Sequence, residues 1–155
     1  MRKLLLLAGV AAASASLLAV PASATPPTTS TGTFAVVAAT TTDVRTAGGN
    51  TFVTVARTAL ISGTFNGTAV DTIRLVMHAN GTTSVHGEGT CACAIGARAG
   101  TFDYRFRGSG TFPGELSGTY VVGHGTAGLE GLHAEGPFAG SFFVASLGGQ
   151  HHFDP

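Results

Sequence analysis

The sequence predicts an all-β chain, a single antiparallel eight-stranded β-barrel preceded by a signal peptide. Three observations carry that reading. Apolar and polar residues alternate at period two through most of the chain, the signature of half-buried strands. Asn-Gly pairs at Asn66-Gly67 and Asn80-Gly81 separate strand-like runs, as type I′ hairpin turns require. Glycine occurs 23 times in 155 residues, which rules against long helices but suits a sharply coiled sheet with bends and bulges.

The N-terminus reads as an export signal. Met1, Arg2 and Lys3 precede an apolar run from Leu4 to Val20, and Pro21-Ala22-Ser23-Ala24 supplies the small-residue cleavage site. Cleavage between Ala24 and Thr25 is expected, giving a secreted protein with no membrane attachment afterwards. The run is short for a membrane span and carries Ser14 and Ser16. The expected organisation is then residues 1–24 as signal peptide, 25–30 as a flexible lead-in, 31–146 as the barrel domain and 147–155 as a frayed C-terminal tail.

Beyond Ala24 six arginines and no lysine face eight acids, a formal charge of about −2. Nucleic acid is not an expected partner, because no run of basic residues is present. Without lysine, Schiff-base chemistry is also excluded from that part of the chain.

Along the chain, Gly-Thr-Phe recurs at Gly32–Phe34, Gly63–Phe65, Gly100–Phe102 and Gly110–Phe112. Glycine allows a bend, threonine starts an extended run, and the aromatic falls on one chosen face. Phe34 and Val36 share a face, and Asn50 to Phe65 forms one bent strand or two. Ile73, Leu75 and Met77 line one side of the next strand, with Thr72, Arg74 and Val76 opposite. Phe102, Tyr104 and Phe106 alternate with Thr101, Asp103, Arg105 and Arg107, and Phe138, Phe142 and Val144 continue the pattern. Gly123, Gly125, Gly128, Gly131 and Gly136 predict a corner where the barrel closes. Full closure is the simplest way for such a chain to remove unpaired edges.

The segment Gly125-Thr126-Ala127-Gly128-Leu129-Glu130-Gly131-Leu132-His133-Ala134-Glu135-Gly136-Pro137-Phe138, with Gly100-Thr101-Phe102, resembles a bacterial domain-of-unknown-function family. That family has an allene-oxide-cyclase-like barrel, a calycin-like shape related to dirigent proteins. The likeness spans most of Thr31 to Val144, with Ala127 and Ala134 standing where glycines are common. It implies the barrel fold and, through distant relatives, an isomerase or cyclase acting on an apolar substrate. No local motif matches the cyclase site, so no catalytic residue is carried over.

The candidate pocket is the barrel interior, lined by Ile73, Leu75, Met77, Phe102, Tyr104 and Phe106. Asp71 shares their parity and, pointing inward, would be a candidate acid. Glu88, Asp103, Glu115, Glu130 and Glu135 are the other acid candidates, with Arg74, Arg105 and Arg107 as candidate partners of the whole set, and Asp103 with Arg105 and Arg107 reads as an exposed salt-bridged face. Gly87 and Gly89 share a face with Val85, Cys91 and Cys93, which gives local room if that face is inward. Cys91 and Cys93 are the only thiols. Two residues apart on an extended strand their Cα atoms lie near 7 Å, roughly the limit for a bridge. A Cys91–Cys93 disulfide, buried thiols, and intermolecular or metal pairing therefore stay open. No histidine pair has helical metal-ligand spacing. No metal or other cofactor is expected; if one binds, His86, Glu88 and His124 are the first suspects. Gly123-x-Gly125-x-x-Gly128 matches a dinucleotide fingerprint only as text, because no βαβ unit surrounds it.

The functional expectation is a secreted barrel without catalytic activity, binding a small apolar molecule or serving as an extracellular structural module. The alternative is an isomerase or cyclase holding its substrate in the barrel. A homo-oligomer formed through outward Val53, Val55 or Val76 is a third reading.

Overall fold

The computed structural model describes residues 25–154. The expected signal segment and its cleavage site therefore lie outside the described residues, except for Thr25. Eight strands follow one another: β1 (Thr28–Ala47), β2 (Asn50–Gly63), β3 (Asn66–Met77), β4 (Thr83–Ile95), β5 (Arg98–Gly110), β6 (Glu115–Gly123), β7 (Leu132–Ser141) and β8 (Val144–Phe153). Each pairs antiparallel with the next, and β8 returns to β1, closing the barrel. An eight-stranded barrel is just wide enough for side chains to fill.

Period two decides which residues fill it. Ile73 and Leu75 on β3, Val85 on β4, and Phe102 and Tyr104 on β5 are buried, whereas Arg74, Asp103, Arg105 and Arg107 face solvent or lie partly exposed. Burying a side chain such as Ile73 contributes about 1.5–3 kcal/mol. Two apolar clusters result. One surrounds Phe65, Phe102, Cys91 and Leu129; the other joins Val55, Ile73, Leu75, Val85, Leu116 and Phe142.

The turns differ from expectation in informative ways. Gly48-Gly49, with φ of +57° and +76°, joins Ala47 to Asn50 and is the two-residue hairpin that fits the type I′ requirement. Asn66-Gly67 is not the turn between β2 and β3. Phe65 is buried against Phe102, at 5.6 Å between rings, so the chain reverses at Thr64-Phe65. Asn66 instead grips Gly63, donating from Nδ2 to its carbonyl at 2.6 Å and accepting from its N–H at 3.3 Å. Asn80-Gly81 does lie in a turn, where Asn80 Oδ1 accepts from Thr82 N at 3.1 Å.

The lead-in and the tail form the seam rather than loose ends. Thr28–Ser30 pair with Gly149–His151, and Thr25 N donates to the Phe153 carbonyl at 2.9 Å. Gly148, Gly149 and Gln150 carry no apolar alternation, so the strand is invisible in sequence. It forms because closure needs a partner for both β1 and β7. The glycine corner closes one barrel end: a short 3-10 turn, Ala127–Leu129, drops Leu129 into full burial, and Thr126 bonds Thr101 through their hydroxyls at 2.7 Å.

Candidate functional site

The interior holds a buried ion pair that sequence spacing did not single out. Arg57 on β2 stands directly opposite Asp71 on β3. Both point inward, and the Arg57 and Asp71 side chains are 7% and 1% exposed. Arg57 Nε donates to Asp71 Oδ1 at 2.9 Å and Nη2 to Oδ2 at 2.8 Å, the bidentate geometry of strong arginine–carboxylate pairs. Nη1 donates to the Phe142 carbonyl at 3.2 Å. Tyr104 Oη donates to Asp71 Oδ2 at 3.0 Å. The guanidinium lies 5.1–5.6 Å from the ring centres of Phe34, Phe106 and Phe142, where ring quadrupoles favour a cation.

This corrects the expectations for Asp71. Its partner is Arg57 and not Arg74, Arg105 or Arg107, which lie on the outward parity. A carboxylate already accepting three hydrogen bonds is a structural anchor rather than a free acid. The clue was present: Arg57 shares the parity of Val55, Ala59 and Ile61 and so belongs to the inner face of β2.

Two glycines make room for the group. Gly89 stands opposite Asp71, and Gly87 opposite both Ile73 and Phe106. A Cβ on Gly89 would strike the Asp71 side chain, and one on Gly87 would strike the Phe106 ring. Their face is inward, and the room they create is taken by the anchor and an aromatic ring.

Beside the anchor is a part-enclosed cavity of about 80 Å³. Ile73, Phe102, Tyr104 and Phe106 line it together with Arg57 and Tyr120. Leu75 is buried in the second cluster and Met77 is half-buried; neither reaches the cavity, and Asp71 sits behind Arg57 and Tyr104. Tyr120 brings the one unmet polar need: its hydroxyl is buried with no hydrogen-bond partner among the described residues. Burial raises the Tyr120 phenol above its ordinary pKa. Tyr104 is raised far above its own, by burial first and then by the Asp71 charge and hydrogen bond, with Arg57 opposing.

The other candidates fall elsewhere. His86 and Glu88 face outward on β4, in a shallow depression with Arg74, Arg105 and Arg107. His124 follows the end of β6 and does not join them; among the described residues no cluster of three His, Cys, Asp or Glu has metal-holding geometry. Glu88 meets Arg105 only at 3.9 Å on an exposed surface, a contact worth little. Asp103 accepts from the Thr90 hydroxyl at 2.9 Å and makes no ion pair with Arg105 or Arg107. Cys91 and Cys93 are disulfide-bonded in the core, their Cα atoms 5.4 Å apart. His151 is buried and bonds Ser30 Oγ through Nδ1 at 2.8 Å. Val55 is a core residue, so it cannot serve an outward interface, and Val144 is exposed where Phe142 is buried because the turn at Phe142-Phe143 breaks the parity.

These features define a closed antiparallel barrel with a polar anchor inside an aromatic lining. Its architecture is similar to a crystal structure of a protein of unknown function from the DUF3224 family of Shewanella oneidensis MR-1. The TM-score is 0.70 at 18% identity, over 84% of this chain and 100% of that one. This likeness is one of fold. No family model and no curated protein matches the sequence.

Proposed function

We propose that the protein is exported, that its barrel is of the allene-oxide-cyclase-like kind, and that it binds a small, mainly apolar molecule without transforming it. The observation that carries ligand binding is the unpartnered Tyr120 hydroxyl on an apolar cavity that Arg57 also lines. A buried hydroxyl without a partner costs about 1–3 kcal/mol, and a ligand with one hydrogen-bonding group removes that cost. The cavity sets the size. An apolar cavity of about 150 Å³ accepts benzene, so about 80 Å³ suits a molecule of a few heavy atoms, or the end of a longer one that enters from the open side. Export rests on the order of charged, apolar and small residues from Met1 to Ala24.

The test begins with native mass spectrometry of protein purified after expression of the full chain, followed by organic extraction. The expected result is a mature N-terminus at Thr25 and a small-molecule adduct released on denaturation. In a parallel titration followed by amide NMR, propanol, which has only a few heavy atoms, should shift residues around Tyr120 at lower concentration than chloropropane of like size, and Tyr120→Phe should erase that preference. A bare mass together with no response to either probe would sink the ligand reading.

A further inference from the structure

Strand β1 outruns the seam of the barrel. Thr28–Ala35 pair with β8, and Val36 N donates to the Phe143 carbonyl at 2.8 Å. From Val37 to Ala47 the strand is paired on its β2 side alone among the described residues. A run of unpaired backbone donors and acceptors is a template for another strand. Proline and lysine, which blunt such edges, are absent from this stretch, and Val37 and Val44 are among the exposed large apolar residues.

The hairpin fixes which backbone groups are available. Ala47 and Asn50 flank the Gly48-Gly49 turn, and residues so placed exchange both backbone hydrogen bonds across the hairpin. Arg45 and Asp43 follow at period two and also bond toward β2. Val44 and Thr46 therefore turn their N–H and C=O groups to the open edge. The bulges in β1 fall between Val36 and Ala38 and between Thr41 and Asp43, which leaves Asp43–Ala47 regular.

We propose that this edge pairs antiparallel with the same edge of a second copy, centred on Val44, so that the sheets of two barrels become continuous. In that register Val44 meets its own counterpart, and each Asp43 stands opposite the Arg45 of the other copy. Two cross-strand ion pairs of the kind that stabilise sheets result, related by the two-fold symmetry of such a dimer. The Arg45 guanidinium lies over the Phe52 ring at 4.1 Å, which holds it on the sheet face beside the edge. The register also clears the seam. The second copy's Ala47 falls opposite Thr41, so its turn ends before Phe143, whose carbonyl already occupies the Val36 N–H. Sliding the copies further would drive that turn into Phe143.

The test is sedimentation velocity on the protein purified after expression of the full chain, from about 10 µM to about 500 µM. A concentration-dependent dimer is expected. Val44→Pro removes an N–H that points away from β2, so far-UV circular dichroism should stay unchanged while the dimer is lost. Asp43→Arg and Arg45→Asp should each weaken self-association about 10-fold, because each turns both ion pairs into like-charge pairs. Mixing these two variants restores both attractions and should give a heterodimer about as tight as the wild type. A wild type that stays monomeric across the range overturns the proposal. So does a dimer that survives Val44→Pro, or a mixture of the charge variants that remains monomeric.

Discussion

Asp71→Asn removes one charge from the barrel anchor with almost no change of shape. Arg57 would then be a buried cation without a counter-ion, 9% exposed, and Tyr104 would donate to a neutral amide. Removing one partner of a buried pair typically costs about 3–5 kcal/mol. For a domain of this size, at about 3–4 °C per kcal/mol, the melting temperature should fall by about 9–20 °C. Replacing the whole group is a different experiment. Arg57→Met, Asp71→Leu and Tyr104→Phe together remove both charges of the anchor and the hydroxyl bonded to them, and buried pairs exchanged for apolar residues are often neutral or stabilising. The triple variant should therefore lie within about 2 kcal/mol of wild type, although it contains more substitutions than the single. Because the chain has no tryptophan, urea unfolding is best followed by far-UV circular dichroism, with thermal melts in parallel. An Asp71→Asn protein within about 1 kcal/mol of wild type, or a triple variant no better than the single, would refute the account of Asp71 as a desolvated anchor.

Two pH effects follow from the other buried groups. The chain has only two tyrosines, Tyr104 and Tyr120, and both phenols are raised above the ordinary 10.0. Absorbance at the tyrosinate band should rise at higher pH in the native protein than in the unfolded chain; because the unfolded chain sheds these protons first, stability should decline from about pH 10 upward. His151 is lowered below 6.5, chiefly by burial, so the unfolded chain gains its proton first as pH falls. The stability this contributes is complete above about pH 6.5 and should decay below it. His151→Gln should flatten that decay in urea midpoints measured between pH 5 and pH 7, and an unchanged acid limb would remove His151 as its cause.

Much of the fold was legible because a strand advertises its buried face at period two. Phe102, Tyr104 and Phe106 could be placed inward, and Arg105 and Arg107 outward, without a structure. Reading failed where the pattern was silent or where another demand outranked it. Gly148, Gly149 and Gln150 have no alternation to display, yet all three pair with β1 and Gln150 pairs with β7 as well. Asn66-Gly67 has the favoured turn chemistry, but burial of Phe65 moved the reversal two residues earlier. Gly48-Gly49 was a readable hairpin signal that the Asn-Gly pairs overshadowed.

The site divides in the same way. Inward parity made Asp71 a candidate from its neighbours Ile73 and Leu75, and the same rule applied to Val55, Ala59 and Ile61 would have found Arg57. That Arg57 faces Asp71 depends on the register between β2 and β3, which local sequence does not encode. By itself the sequence determined the strand class, the inward aromatic lining and the shortage of charge. Only the tertiary structure decided which inward groups meet, that Gly87 and Gly89 yield their space to Phe106 and Asp71, that Tyr120 keeps an unmet hydroxyl, and that β1 extends past the seam. Parity is a property of consecutive residues, whereas pairing across a barrel is set by closure of the whole sheet.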